Sequence, residues 1–251
     1  MTHAPKVRPL ASLLSTIVLG LLGLGLPVLG ASPAAAMDLG DPLTRERVQR
    51  GDVDRDQWNI EHVYEVQIRL RRLGYLSATP TGTFGSQTEL AVKRFQRARG
   101  LRVTGVVNAN TWKPLILRST FGKASLPTRC TRDGWHMCYD RKRHQASLYH
   151  NGSLYNSWLV RGGSASSPTR TGNYSVYWRD IDHKSNTYDG APMPYSQFFN
   201  GGQALHGSRY MMNPLVGHSH GCVNFYVEDA RQLWNLTSTR KLAVHVYGAW
   251  D

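Results

Sequence analysis

Between residues 60 and 117 the apolar positions recur at helical spacing. Val63, Val66, Leu70 and Leu73 follow the i, i+3, i+7, i+10 pattern of a single helix face, and Gly74 stands where that helix should stop. Ser86-Gln87-Thr88-Glu89 has the form of a capping box with Ser86 as the cap. The helix it opens carries Leu90, Ala91, Phe95 and Ala98 and closes at Gly100. Asn108 or Asn110 can cap a third, short helix holding Trp112 and Leu115. The two connections echo each other: Thr81-Gly82-Thr83-Phe84 and Thr104-Gly105-Val106-Val107 each put a glycine turn ahead of an apolar residue and a new helix. The pattern predicts a small three-helix unit over residues 60–117.

Beyond residue 130 the period shortens to two. His144 to His150 and Ser153 to Val160 flank Asn151-Gly152, a strong hairpin signal. Tyr174, Val176 and Trp178 alternate with Ser175, Tyr177 and Arg179, and Leu242, Val244 and Val246 alternate with Ala243, His245 and Tyr247. Only Val227 to Leu236 reads as a helix, with Ala230, Leu233 and Trp234 on one side. Residues 118–129 break all periodicity at Ser119, Gly122, Ser125 and Pro127 and read as a linker. The expected fold class is therefore multi-domain: a helical domain at 60–117, a linker at 118–129 and a mostly β domain at 130–251 with one helix.

The N-terminus has a different character. Lys6 and Arg8 precede the apolar stretch Leu10 to Leu29, and Ala34-Ala35-Ala36 supplies small residues for cleavage before Met37 or Asp38. Residues 1–36 read as a secretory signal peptide. A retained membrane anchor is the competing reading, against which Pro27, Gly30 and Pro33 interrupt a continuous helix. Membrane contact is then expected only before cleavage, and the protein is expected to be secreted to the cell wall or the extracellular space. Residues 37–59, with mixed charge from Arg45 to Arg55, read as a flexible lead.

Composition narrows the partners. The formal net charge is +13, which favours polyanions. The basic residues are dispersed apart from Arg141-Lys142-Arg143, with no pattern of stacking aromatics, so nucleic acid is not an expected partner. For an exported chain the fitting polyanion is the wall itself.

There are three cysteines. The spacing of Cys130 and Cys138 around the Asp133-Gly134 turn suits a local disulfide, which leaves Cys222 as the odd thiol. Cys222 lies in Ser219-His220-Gly221-Cys222-Val223-Asn224, with His206-Gly207 upstream. A cysteine nucleophile needs thiolate character, a base, room for a carbonyl and donors for an oxyanion. His206 and His220 are candidate bases, and spacing does not choose between them. Gly221 leaves room beside the sulfur, the amides of Gly221 and Cys222 are candidate oxyanion donors, and a helix starting near the motif would favour the thiolate. The competing chemistry is a metal site of His206, His218, His220 and Cys222. No further ligand cluster supports it, so the expectation is no metal and no cofactor.

Both halves resemble known families. The Gln67…Leu70-Arg71-Arg72-Leu73-Gly74-Tyr75, Gly82-Thr83-Phe84-Gly85, Ala91-Val92…Phe95-Gln96 and Gly100-Leu101…Thr104-Gly105-Val106-Val107…Thr111-Trp112 stretches resemble the type 1 peptidoglycan-binding domain. The departure is Thr81 and Thr104 where that family commonly has Asp. The His206-Gly207 and Ser219–Asn224 motifs, with the upstream Met193-Pro194-Tyr195…Phe198-Phe199…Gly201-Gly202…Leu205 run, resemble the L,D-transpeptidase (YkuD) catalytic domain. That resemblance implies Cys222 as nucleophile, His206 as general base, the Gly207 carbonyl orienting the imidazole, and His220 with the Gly221 and Cys222 backbone holding the oxyanion. Asn224, at a position where many relatives carry Arg, orders the loop or contacts substrate. Ser219 is a further candidate substrate contact, and Tyr195 and Trp250 are candidates for lining the groove. The resemblance also implies peptidoglycan stem peptides and glycan as partners, cross-linking of the 3→3 type, and carbapenem-type β-lactams as inhibitors. Hydrolysis at the same site (an L,D-carboxypeptidase) and a non-catalytic wall-binding protein are the alternatives.

Overall fold

The computed structural model describes residues 41–55, 60–120 and 126–249. Residues 1–36, read above as a signal peptide, the ends of the lead at 37–40 and 56–59, residues 121–125 of the linker, and Trp250 lie outside the described residues. Among the described residues no helix is long and apolar enough to cross a membrane.

The helical half consists of α1 (Val63–Arg72), α2 (Ser86–Ala98) and α3 (Ala109–Ser119). Their periodic residues Val63, Val66, Leu70, Phe95, Trp112 and Leu115 meet in one core. The echo between the two connections has a physical cause. From α1, Gln67 Oε1 accepts the amides of Thr81 (2.8 Å) and Gly82 (3.0 Å), while its Nε2 donates to the Thr83 carbonyl (2.9 Å) and Thr88 Oγ1 (3.0 Å). From α2, Gln96 Oε1 accepts the amides of Thr104 and Gly105 (both 2.9 Å), and its Nε2 donates to the Val106 carbonyl (2.8 Å) and Thr111 Oγ1 (3.1 Å). Each turn is thus pinned by the same amide one helix back. Asn108 caps α3 through the Thr111 amide at 3.3 Å. The capping box does not form: Gly85 is the N-cap of α2, Ser86 is its first helical residue, and Glu89 pairs with Lys93 instead.

The lead also departs from expectation. Leu43, Thr44, Arg45 and Val48 are buried, and the Val48 and Val107 backbones exchange hydrogen bonds of 2.9 and 2.8 Å. Mixed charge suggested solvation; here the charges find partners. Arg45 Nε lies 3.1 Å from Asp229 Oδ1, and Arg69 Nε donates to Glu65 Oε1 at 2.7 Å. His62 pairs with Glu46 and, at 3.3 Å, with Asp229. Arg45 and Arg69 both donate to the Ser157 carbonyl, at 3.0 and 2.8 Å. These residues span the lead, the helical half and the β half, so the described parts of both halves belong to one compact unit.

The β half holds two sheets. One has the order β3-β2-β1-β9-β4, built from β1 (Trp135–Asp140), β2 (Gln145–His150), β3 (Ser153–Leu159), β4 (Gly172–Ser175) and β9 (Leu242–Tyr247). The other runs β5-β6-β7-β8, from β5 (Trp178–Lys184), β6 (Pro192–Asn200), β7 (Gln203–Gly207) and β8 (Val223–Phe225). Asn151 and Gly152 turn the β2–β3 hairpin with φ of 49° and 76°, the left-handed pair that such a turn requires. Helix α4 (Val227–Thr237) follows β8 and sends Ala230 and Leu233 into a core with Trp158, Leu205, Phe225 and Val244. Cys130 and Cys138 are disulfide-bonded, joining a 3₁₀ turn (Thr128–Thr131) to β1.

Candidate active site

Strand register assembles the site. β7 and β8 run parallel with Leu205 opposite Val223, His206 opposite Asn224 and Gly207 opposite Phe225. Leu205, Val223 and Phe225 enter the main core, so alternation turns Ala204, His206, Cys222 and Asn224 to the other face. There Cys222 packs against Met193, Phe198 and Ala204, and its Sγ accepts the Ala204 amide at 3.4 Å. Arg161 joins the same row. It forms an antiparallel bridge with Asn224, exchanging backbone bonds of 2.9 and 2.8 Å, while its neighbour Val160 faces the core.

The structure separates the two candidate bases. His206 is buried, with Nδ1 2.8 Å from the Gly207 carbonyl oxygen. A carbonyl only accepts, so Nδ1 carries the proton and Nε2 presents its lone pair. Burial pushes the His206 pKa down to about 4; His183 and Arg161 push the same way, and the Gly207 bond opposes them. His220 is exposed, its ring stacked on Tyr188 at 4.3 Å between centroids. His218 is exposed as well. Among the described residues His206, His218, His220 and Cys222 form no metal-holding group. His62, Glu65 and Asp229 do lie close together, but the guanidiniums of Arg45 and Arg69 already face those carboxylates.

The thiol differs from expectation. Burial pushes the Cys222 pKa above its ordinary 9.0, against the opposing Ala204 amide. The expected helix contribution is missing because α4 begins at Val227, with β8 intervening, and a helix dipole fades beyond its first turn. The resting pair is therefore a neutral thiol and a neutral imidazole.

The loop before Cys222 is held by its own polar groups. Gly221 has φ +118°, and a Cβ there would meet Gln203 Nε2 at 2.6 Å. Its amide donates to Ser219 Oγ at 3.0 Å, and that hydroxyl donates to the Cys222 carbonyl at 2.6 Å. The Gly221 amide is thus engaged within the loop, and the Ser219 hydroxyl staples the turn. Tyr195, at φ 60°, leaves the alternation of β6 and packs near Trp234 of α4, on the core side. Asn224 is buried, with Oδ1 lacking a hydrogen-bond partner among the described residues.

A second loop was not read from the sequence. Ser167 Oγ donates to the His220 carbonyl at 3.0 Å, and Thr169 Oγ1 accepts the Gly163 amide at 3.0 Å. Gln203 grips the same loop through the Pro168 carbonyl (2.9 Å) and the Arg170 amide (3.1 Å). The only signal was a run dense in Gly, Ser, Thr and Pro from Gly162 to Gly172, which marks a loop but not where it docks.

Comparison with protein families agrees with this architecture. Residues 135–246 match the model of the L,D-transpeptidase catalytic domain, YkuD, and residues 59–115 match that of a peptidoglycan binding domain. No match was found among curated protein sequences. Among solved structures, an L,D-transpeptidase from Stackebrandtia nassauensis is similar with a TM-score of 0.51 and 23% identity, covering 81% of this chain and 96% of its own. An L,D-transpeptidase from Xylanimonas cellulosilytica is 26% identical with a TM-score of 0.45, covering 80% of this chain and 97% of its own. The first of these shares the fold. The chain thus carries the catalytic domain of an L,D-transpeptidase, YkuD, at residues 135–246 and a peptidoglycan-binding domain at residues 59–115.

Proposed function

We propose that this enzyme is exported to the cell wall, where Cys222 attacks the amide between the L-centre of a diamino acid and the terminal D-Ala of a tetrapeptide stem. The observation that carries the mechanism is His206: buried, with Nδ1 committed to the Gly207 carbonyl, on the same sheet face as the thiol. Because both groups rest neutral, the thiol proton passes to Nε2 as the sulfur attacks, rather than beforehand. The Cys222 amide is the oxyanion donor that remains once Ser219 has engaged Gly221. Collapse of the tetrahedral intermediate breaks the C–N bond. His206 returns the proton to the departing D-Ala amine, and the acyl group stays on sulfur as a thioester. An amine from a neighbouring stem then attacks, loses its proton to His206 and forms a 3→3 cross-link, regenerating the thiol.

The same electrophile chemistry makes a strained β-lactam carbonyl of the carbapenem type an acylating inhibitor of Cys222. The helical domain brings the catalyst to the wall as part of one unit rather than on a tether, since Arg45 and Arg69 bridge it to the β half. The test is incubation of the chain lacking residues 1–36 with a disaccharide-tetrapeptide, with products followed by mass spectrometry beside a Cys222→Ala control. A cross-linked dimer with loss of D-Ala, absent from the control, is the expected result. Tripeptide alone makes the enzyme a carboxypeptidase on the same site, and no difference between the two proteins leaves a wall-binding protein.

A further inference from the structure

Arg161 is anomalous for a charged residue. It is only 9% exposed, its Nε has no hydrogen-bond partner among the described residues, and its Nη1 donates to the Val216 carbonyl at 3.3 Å. No acidic group among the described residues pairs with it; burial lowers its pKa, and Tyr226 opposes that. A buried cation without an anion is costly, and natural sites keep one where a ligand supplies the partner. The neighbour across the bridge, Asn224, is also buried with an unpartnered Oδ1. Both sit in one row with His206, one pleat repeat from Cys222.

From this geometry we infer that Arg161 receives the free α-carboxylate of the residue released from the stem, with Asn224 beside it, and so measures stem length. This rests on the reading of Cys222 as the acylated group. In a tetrapeptide the scissile amide is followed by one residue, so its carboxylate lies one Cα step, about 3.8 Å, beyond the reacting centre. Opposed residues in an antiparallel pair are about 5 Å apart, and alternate residues along a strand about 7 Å. A guanidinium based opposite Asn224 therefore spans to that carboxylate, and its fork suits two parallel hydrogen bonds. A stem with one more residue presents an uncharged amide there and sends its carboxylate past the arginine.

The test compares a tetrapeptide stem bearing a free C-terminal carboxylate with the same stem as its C-terminal amide, for wild type, Arg161→Gln and Arg161→Lys. The readout is kcat/KM for Cys222 acylation. Wild type is expected to prefer the acid by about tenfold or more, the scale of a charge-assisted hydrogen bond. Arg161→Gln should bring the acid down to the rate of the amide, erasing the preference. Arg161→Lys should keep part of the preference.

A second readout does not depend on stem turnover. The rate ratio of iodoacetate to iodoacetamide at Cys222 should fall about threefold or more in Arg161→Gln, because one nearby positive charge is removed, while Arg161→Lys retains it. The iodoacetamide rate itself reports an intact site. An acid preference or an alkylation ratio unchanged in Arg161→Gln overturns the assignment. If wild type is acylated by neither stem, the transpeptidase reading fails, and the alkylation ratio still decides Arg161.

Discussion

His206 and Cys222 divide the pH behaviour between them. With its pKa pushed down to about 4, His206 stays a competent base through mildly acidic conditions, so acylation should persist at pH 5–6 and fail only as pH approaches that value. With its thiol pushed above 9.0, Cys222 should show an iodoacetamide rate that climbs into the alkaline range with no plateau on the acid side. A preformed thiolate–imidazolium pair would instead react at nearly full rate near neutrality. His206→Ala should lower acylation by about 10²–10⁴-fold, the usual worth of a positioned base, measured as the rate of adduct appearance by mass. The residue types of this pair were legible in the sequence. The ionisation state was not, because it follows from burial produced by distant strands. The placement of Ser219 and Tyr195 was hidden for a related reason: a hydroxyl two residues from an amide can staple its own turn, and a positive φ takes a side chain off the face that alternation predicts.

At the scale of elements, local pattern carried far. Helices α1 and α2 end just before the glycine that follows each periodic run, and the Asn151-Gly152 hairpin forms, with a register shift between Leu148 and Tyr149. The repeated turn was visible as an echo, but its cause, Gln67 and Gln96 reaching across, needed three dimensions. Each glutamine makes several hydrogen bonds to its turn. Gln67→Ala should therefore cost about 2–4 kcal/mol, given roughly 1 kcal/mol per bond, read from chemical denaturation. Gly221→Ala should be more damaging to activity than to the fold. It places a Cβ 2.6 Å from Gln203 Nε2 at φ +118° and so displaces the loop that presents the sulfur, which should show as lost acylation with a small shift in melting temperature.

Over the whole molecule, the charge cluster of Arg45, Glu46, His62, Glu65, Arg69 and Asp229 decides whether two domains behave as one. Opposite charges buried together stabilise only as a complete set, and removing one member typically costs about 3–5 kcal/mol. Asp229→Ala should lower stability by that order and split a single unfolding transition into two, seen by calorimetry. His62 adds a pH signature. Glu46 and Asp229 raise its pKa well above 6.5 despite burial, so its contribution is complete below 6.5 and is lost as pH rises through the raised value. The melting-temperature gap between wild type and His62→Gln should accordingly narrow as the solution is made alkaline. Composition alone suggested a loose lead and a tether here, because it reports charge without reporting partners.

Intact-protein mass spectrometry decides whether Cys222 carries a thioester during turnover. The chain lacking residues 1–36 would be mixed with a tetrapeptide stem and quenched in acid during turnover. The expected result is an adduct equal to the stem minus D-Ala, localised to Cys222 and absent from Cys222→Ala. Release of D-Ala at the same rate by Cys222→Ala, with no adduct on the wild type, would contradict it.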